Sequence, residues 1–159
     1  MPNETPHYIF DQFSETERKA VLDGEAFRIL PVGQFFRQSF FFDDAPRLMK
    51  ITKDDIDGIV KNFNAGLPRF KVPINLDHSH NDGKVGTITK VEARPTGLYG
   101  YAEWTDKGRE VLESGSHDAV SAEMAWDKGG YGGSYTDPET GDKFTPVIVG
   151  LALTATPFF

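Results

Sequence analysis

The sequence predicts an α+β domain: six or seven short strands with two or three helices in one compact unit. Three observations carry this expectation. Sixteen Gly and ten Pro in 159 residues place turn formers along the whole chain, as short strands joined by tight turns require. Residues 98–104 and 118–127 alternate with the period-two pattern of strands. After Thr52, apolar residues recur instead with the period of a helix. At 17.7 kDa the chain is of single-domain size and can bury a substantial core. We divide it into residues 1–24, an arm with a short helix, and residues 25–159, the single domain.

The first ten residues carry two prolines and little pattern, and read as an extended arm. Ser14 and Glu17 have the spacing of a capping box, so a short helix runs to about Leu22 and stops at Gly24. Residues 26–42 read as two strands around the turn signal Pro31-Val32-Gly33. Their Phe cluster suits either the core or a partner-binding edge. Thr52 and Asp55 open the clearest helix, with Ile56, Ile59, Val60 and Phe63 on one face and Asn64-Ala65-Gly66 at its end. Residues 72–78 read as a strand that runs into a polar loop. Residues 84–92 form the next, where Gly86 marks a bulge or a close backbone approach. After the turn at residues 94–97 comes the strand 98–104, then a short helix capped by Thr105 and stopped at Gly115. Residues 118–127 and 147–154 are the last long strands, with a hairpin turn at residues 137–142 between them.

Several functions are disfavoured by composition. Acids outnumber bases 24 to 17, the net charge is −7 and no basic stretch interrupts the balance, so we expect no nucleic-acid binding through phosphates. No apolar run approaches the roughly 20 residues that span a bilayer, and the N-terminus lacks the pattern of a signal peptide. We therefore expect no membrane partner and a cytosolic setting. Without cysteine there is no disulfide framework, thiolate nucleophile or Cys-type zinc site.

Nucleophilic chemistry must then use Ser, Thr, Lys or a carboxylate. His78 and His80 stand in the run Asp77-His78-Ser79-His80-Asn81-Asp82, and a strand would turn both to one side. Three readings follow. The pair binds zinc or iron with Asp77 or Asp82, and with His117 from elsewhere. One histidine is the general base for a serine on another strand. Or both are loop histidines in a polar turn. Ser121 is the notable serine, in the middle of the strand Ala119-Val120-Ser121-Ala122-Glu123-Met124. It is either a hydroxyl bonded to nearby backbone or a nucleophile on a rigid support. No G-x-S-x-G elbow or P-loop is present.

The segments Val72-Pro73-Ile74-Asn75-Leu76-Asp77-His78, Gly83-Lys84-Val85-Gly86, Gly97-Leu98-Tyr99-Gly100, Thr105-Asp106-Lys107-Gly108 and Val120-Ser121-Ala122-Glu123-Met124, together with the final stretch from Gly150 to Phe159, occur in an order and spacing that resembles the phage prohead maturation proteases, the Mu-like protease I branch. The likeness covers about residues 27–159. It implies the fold of the herpesvirus assembly proteases, a mostly antiparallel β-barrel with flanking helices. It also implies a serine endopeptidase that needs no cofactor and cuts scaffold protein, major capsid protein and itself. The implied setting is an assembling prohead in the bacterial host cytoplasm. Herpesvirus relatives are activated by dimerisation, so a homodimer or higher oligomer is also expected.

By this resemblance Ser121 is the nucleophile and His78 its base. The third member stays open among Glu123, His80, Asp77, His117 and Glu103. Glu123 shares the face of Ser121, but neighbours of that kind lie about 7 Å apart along a strand. Some relatives carry an acid at the position of Gly150. Its absence motivates a second reading, a catalytically weak or inactive scaffold-binding module on the same barrel. A His-x-His metal-dependent hydrolase is the third. Gly129 and Gly130, with Gly132 and Gly133 beyond, are candidates to bring backbone N–H groups to the oxyanion.

Overall fold

The computed structural model describes residues 13–37, 47–128 and 132–155. In chain order its elements are α1 (Glu15–Leu22), β1 (Phe27–Pro31), β2 (Gly33–Arg37), β3 (Arg47–Ile51), α2 (Lys53–Asn64), β4 (Pro73–Leu76), β5 (Gly86–Arg94), β6 (Gly97–Trp104), α3 (Asp106–Ser114), β7 (Ala119–Ala125), β8 (Tyr135–Thr136), β9 (Lys143–Phe144) and β10 (Val147–Thr154).

Local chemistry starts each helix. Ser14 Oγ accepts from the Glu17 N–H while the Glu17 carboxylate accepts from the Ser14 N–H, both at 3.1 Å. Thr52 and Asp55 repeat the exchange at the head of α2, at 3.1 and 2.8 Å. Their acids also sit at the positive end of the helix. Thr105 Oγ1 caps α3 by accepting from Gly108 N–H, and Gly115 closes that helix at φ 73°. The apolar stripe of α2 does what its spacing predicts: Ile56 and Ile59 are buried, and Val60 and Phe63 pack against the core.

Six strands form one sheet in the order β1-β6-β5-β4-β10-β7. Every neighbouring pair is antiparallel except β4 and β10, which run parallel. The sheet curls until β1 and β7, its two ends, lie against each other, so it is a nearly closed barrel flanked by three helices. The α+β, mostly antiparallel barrel expectation is met. The remaining described strands make two small ribbons, β2 with β3 and β8 with β9. The core centres on Ile59, Ile74, Leu98, Leu112, Leu151 and Leu153, all closed to solvent.

Three details differ from the sequence reading. Strand β3, which pairs with β2, carries no alternation strong enough to be read. The irregularity near Gly86 has two parts. A side chain at Gly86 would crowd the Trp104 ring, while the bulge itself falls at Thr89, between Ile88 and Lys90. Finally, β4 stops at Leu76, because Asp77 and His78 both turn to left-handed backbone, at φ 54° and 61°. Of the Phe cluster, Phe27 is core, and Phe40, Phe41 and Phe42 lie outside the described residues.

Candidate active site

Five polar or charged residues are buried among the described residues, and four of them share one region of the sheet. Ala152 of β10 stands between Asn75 of β4 and Ser121 of β7. In the same β10–β7 ladder Gly150 faces Glu123 and Thr154 faces Ala119. By strand alternation Asn75, Ser121, Glu123 and Thr154 therefore project to one face, while Ile74, Leu151, Leu153, Ala122 and Met124 fill the core behind it. Burying polar groups is costly without partners, so four on one face mark it as more than scaffold. The fifth, Asp137, is held elsewhere by Arg69 at 2.7 Å.

The left-handed turn after β4 swings His78 across β10 to this face. A left-handed conformation costs a residue with a side chain roughly 1–2 kcal/mol, so two in succession need anchors. The Asp77 N–H donates to Leu153 O and the Ser79 N–H to Leu76 O, each at 2.9 Å. Ser79 Oγ donates to Asp82 at 2.6 Å. The Asp77 carboxylate lies 2.8 Å from His117 Nε2, and Ser116 Oγ lies 2.9 Å from His117 Nδ1. The turn is thus tied to β10 and to the segment that leads into β7.

His78 sits between serine and acid. Its Nε2 is 3.0 Å from Ser121 Oγ, and its Nδ1 is 2.6 Å from Glu123 Oε2. With Nδ1–H donating to the carboxylate, Nε2 is the basic nitrogen and accepts from the Ser121 hydroxyl. Glu123 Oε2 also accepts from Asn75 Nδ2 at 3.0 Å and faces His80 Nε2 at 3.1 Å. Burial pushes the Glu123 carboxyl up. Hydrogen bonds from His78, Asn75 and His80, and the charge of His78, outweigh that and bring its pKa to about 2. The acid is therefore ionised at any ordinary pH. The arrangement can make the Ser121 hydroxyl nucleophilic and can stabilise an imidazolium.

The remaining candidates divide clearly. His80 reaches the group from the rim, half-exposed, through Glu123. Asp77 and His117 pair with each other and support the turn. Glu103 belongs to β6, which pairs with β1 and β5 and adjoins none of β4, β10 and β7 in the sheet. It faces Thr87 and lines a cleft with Phe70, Lys71 and Lys84. Gly129 and Gly130 lie outside the described residues. Among the described residues, no group of three or more His, Asp or Glu could hold a metal ion. His78 and His80 do not share a side through strand period, because both follow the end of β4. The turn brings them together on one carboxylate.

One participant escaped the sequence reading. Asn75 looks like an ordinary polar position in a strand, although its alternation with Ile74 and Leu76 already placed it off the core face. Gly150 stands out in the sequence only for the acid that it lacks, and not as the cross-strand partner of Glu123.

A family model described as Mu-like prophage I protein, N-terminal domain, matches residues 27–131, about two thirds of the chain. Searches of curated proteins and of solved structures returned no match.

Proposed function

Since the chain belongs to the Mu-like prophage I protein family, we propose that it is a serine endopeptidase of phage prohead maturation, with Ser121 as nucleophile, His78 as general base and Glu123 as the acid that orients and charges the pair. The observation that supports this most is the unbroken series from Ser121 Oγ to His78 at 3.0 Å and on to Glu123 at 2.6 Å. Nucleophile, base and orienter each meet the distance that proton transfer needs.

The chemistry proceeds in two halves. His78 Nε2 takes the hydroxyl proton as Ser121 Oγ bonds to the scissile carbonyl carbon, whose π electrons move onto oxygen. Glu123 stabilises the imidazolium that results. The tetrahedral species collapses, the C–N bond breaks, and His78 returns its proton to the leaving amine. Water then attacks the acyl-enzyme, losing its proton to His78, and Ser121 leaves with that proton as the acid product is released.

In this reading the substrates are scaffold protein, major capsid protein and the chain itself, inside an assembling prohead in the host cytoplasm. The missing acid at Gly150 motivates the weak-module alternative. Glu123 supplies a carboxylate at the far nitrogen of the histidine, which removes that motive. The metal reading is disfavoured because both ring nitrogens of His78 already face partners.

Ser121→Ala tests the proposal. We expect cleavage and fluorophosphonate labelling to be lost while the circular dichroism spectrum and melting midpoint stay native. Native-rate processing by this variant would exclude Ser121 as nucleophile.

A further inference from the structure

We infer that Gly150 is a positioning residue for the acid arm of the site: its missing side chain creates the seat that the Glu123 carboxylate occupies. The catalytic consequence rests on the serine-endopeptidase reading, but the seat itself is a matter of packing and can be tested apart from it.

The two residues are cross-strand partners in the β10–β7 ladder. Cβ atoms of such a pair normally stand about 4.5–5.5 Å apart, and their side chains fill the space above the sheet side by side. Here only one of the two has a side chain, and it leans over the other. A Cβ built on Gly150 would overlap Glu123 Oε1 and would lie 3.0 Å from its Cδ and 3.4 Å from its Cβ. The obstructing atoms are the carboxylate itself, so any side chain at position 150 competes directly with the group that His78 needs. Backbone freedom does not explain the glycine. Gly150 is absent from the positive-φ glycines among the described residues and lies within strand β10.

The ladder shows a second adjustment at the same place. Register shifts between Ile148 and Gly150, so Val149 is an extra residue opposite the step from Met124 to Glu123. Ile148 and Met124 both stay in the core cluster below. The bulge therefore lets β10 present an apolar residue to the core and, two residues later, a glycine beneath the acid. From that seat Oε1 lies over Gly150, and Oε2 receives His78, Asn75 and His80.

The test is a cycle on the full chain, with urea-melt midpoint and fluorophosphonate labelling of Ser121 as readouts. Gly150→Ala should lower the midpoint and slow labelling by about 10²-fold, the scale of an approximately 1 Å misplacement. In a Glu123→Ala background the same change should cost nothing further in either readout, because the methyl enters vacated space. Gly150→Asp in that background returns a carboxylate to the seat from the opposite strand. It should raise labelling roughly tenfold or more over Glu123→Ala alone. The seat is rejected if Gly150→Ala lowers the midpoint equally in both backgrounds, and its catalytic consequence is rejected if Gly150→Asp gives Glu123→Ala no gain in labelling. If Glu123→Ala alone labels at the native rate, the acid's catalytic role fails, while the midpoint cycle still decides whether the seat exists.

Discussion

At the scale of single residues, Glu123 shows how environment sets chemistry. A carboxylate closed to solvent would normally favour its protonated form, yet three hydrogen bonds converge on one of its oxygens and hold its pKa at about 2 against an ordinary 4.5. The sign of the pH effect follows. Because the folded-state value is depressed, the carboxylate stabilises the fold above about pH 4.5, and that contribution is lost as pH falls toward about 2. We predict that Glu123→Gln is less stable than the native protein at neutral pH, and that the difference shrinks below about pH 4.5. Urea melts at a series of pH values check this. A stability gap that stays constant down to pH about 2 would contradict the linkage.

Among the elements, the turn after β4 matters most for the site. A strand continued to His78 would alternate its side chains across the sheet. Two left-handed residues break that alternation and carry the ring over β10 instead. The Asp77–His117 pair is one of the anchors of the turn, and Asp77 is more than half exposed. Such a pair is worth about 0–1 kcal/mol to global stability, so its value is in position rather than energy. We predict that His117→Ala melts within about 1 kcal/mol of the native protein but slows fluorophosphonate labelling of Ser121 by roughly tenfold. An unchanged labelling rate would show that the backbone anchors at Leu76 and Leu153 suffice.

For the molecule as a whole, β10 joins the two halves of the site. It lies between β4, which leads to His78, and β7, which carries Ser121 and Glu123. Its core face is apolar, with Leu151 and Leu153 fully buried, while its other face is small, with Gly150 and Ala152 leaving room for the polar group. Leu151→Ala should cost about 2–5 kcal/mol, a large share of the roughly 5–15 kcal/mol typical of a domain. We expect a lower urea midpoint and a labelling rate that declines at a lower temperature than in the native protein. A midpoint within about 0.5 kcal/mol of native would mean that the core collapses around the lost volume.

Local chemistry is written in the chain and is legible there. Capping residues at Ser14, Thr52 and Thr105 start the helices, the period of Ile56, Ile59 and Phe63 sets a buried face, and alternation marks β6 and β7. These depend on neighbours a few residues apart. Ser121 and His78 could be named from resemblance and residue type, but they are 43 positions apart, and only the order β4-β10-β7 makes them neighbours. The acid is less legible still. Strand rise correctly keeps Glu123 from Ser121, yet a ring arriving from the turn after β4 spans that gap and touches both. No local period encodes a left-handed turn at Asp77 and His78, or a glycine left bare beneath a carboxylate on the adjacent strand. Both come from long-range pairing, which depends on which strands meet and in what register.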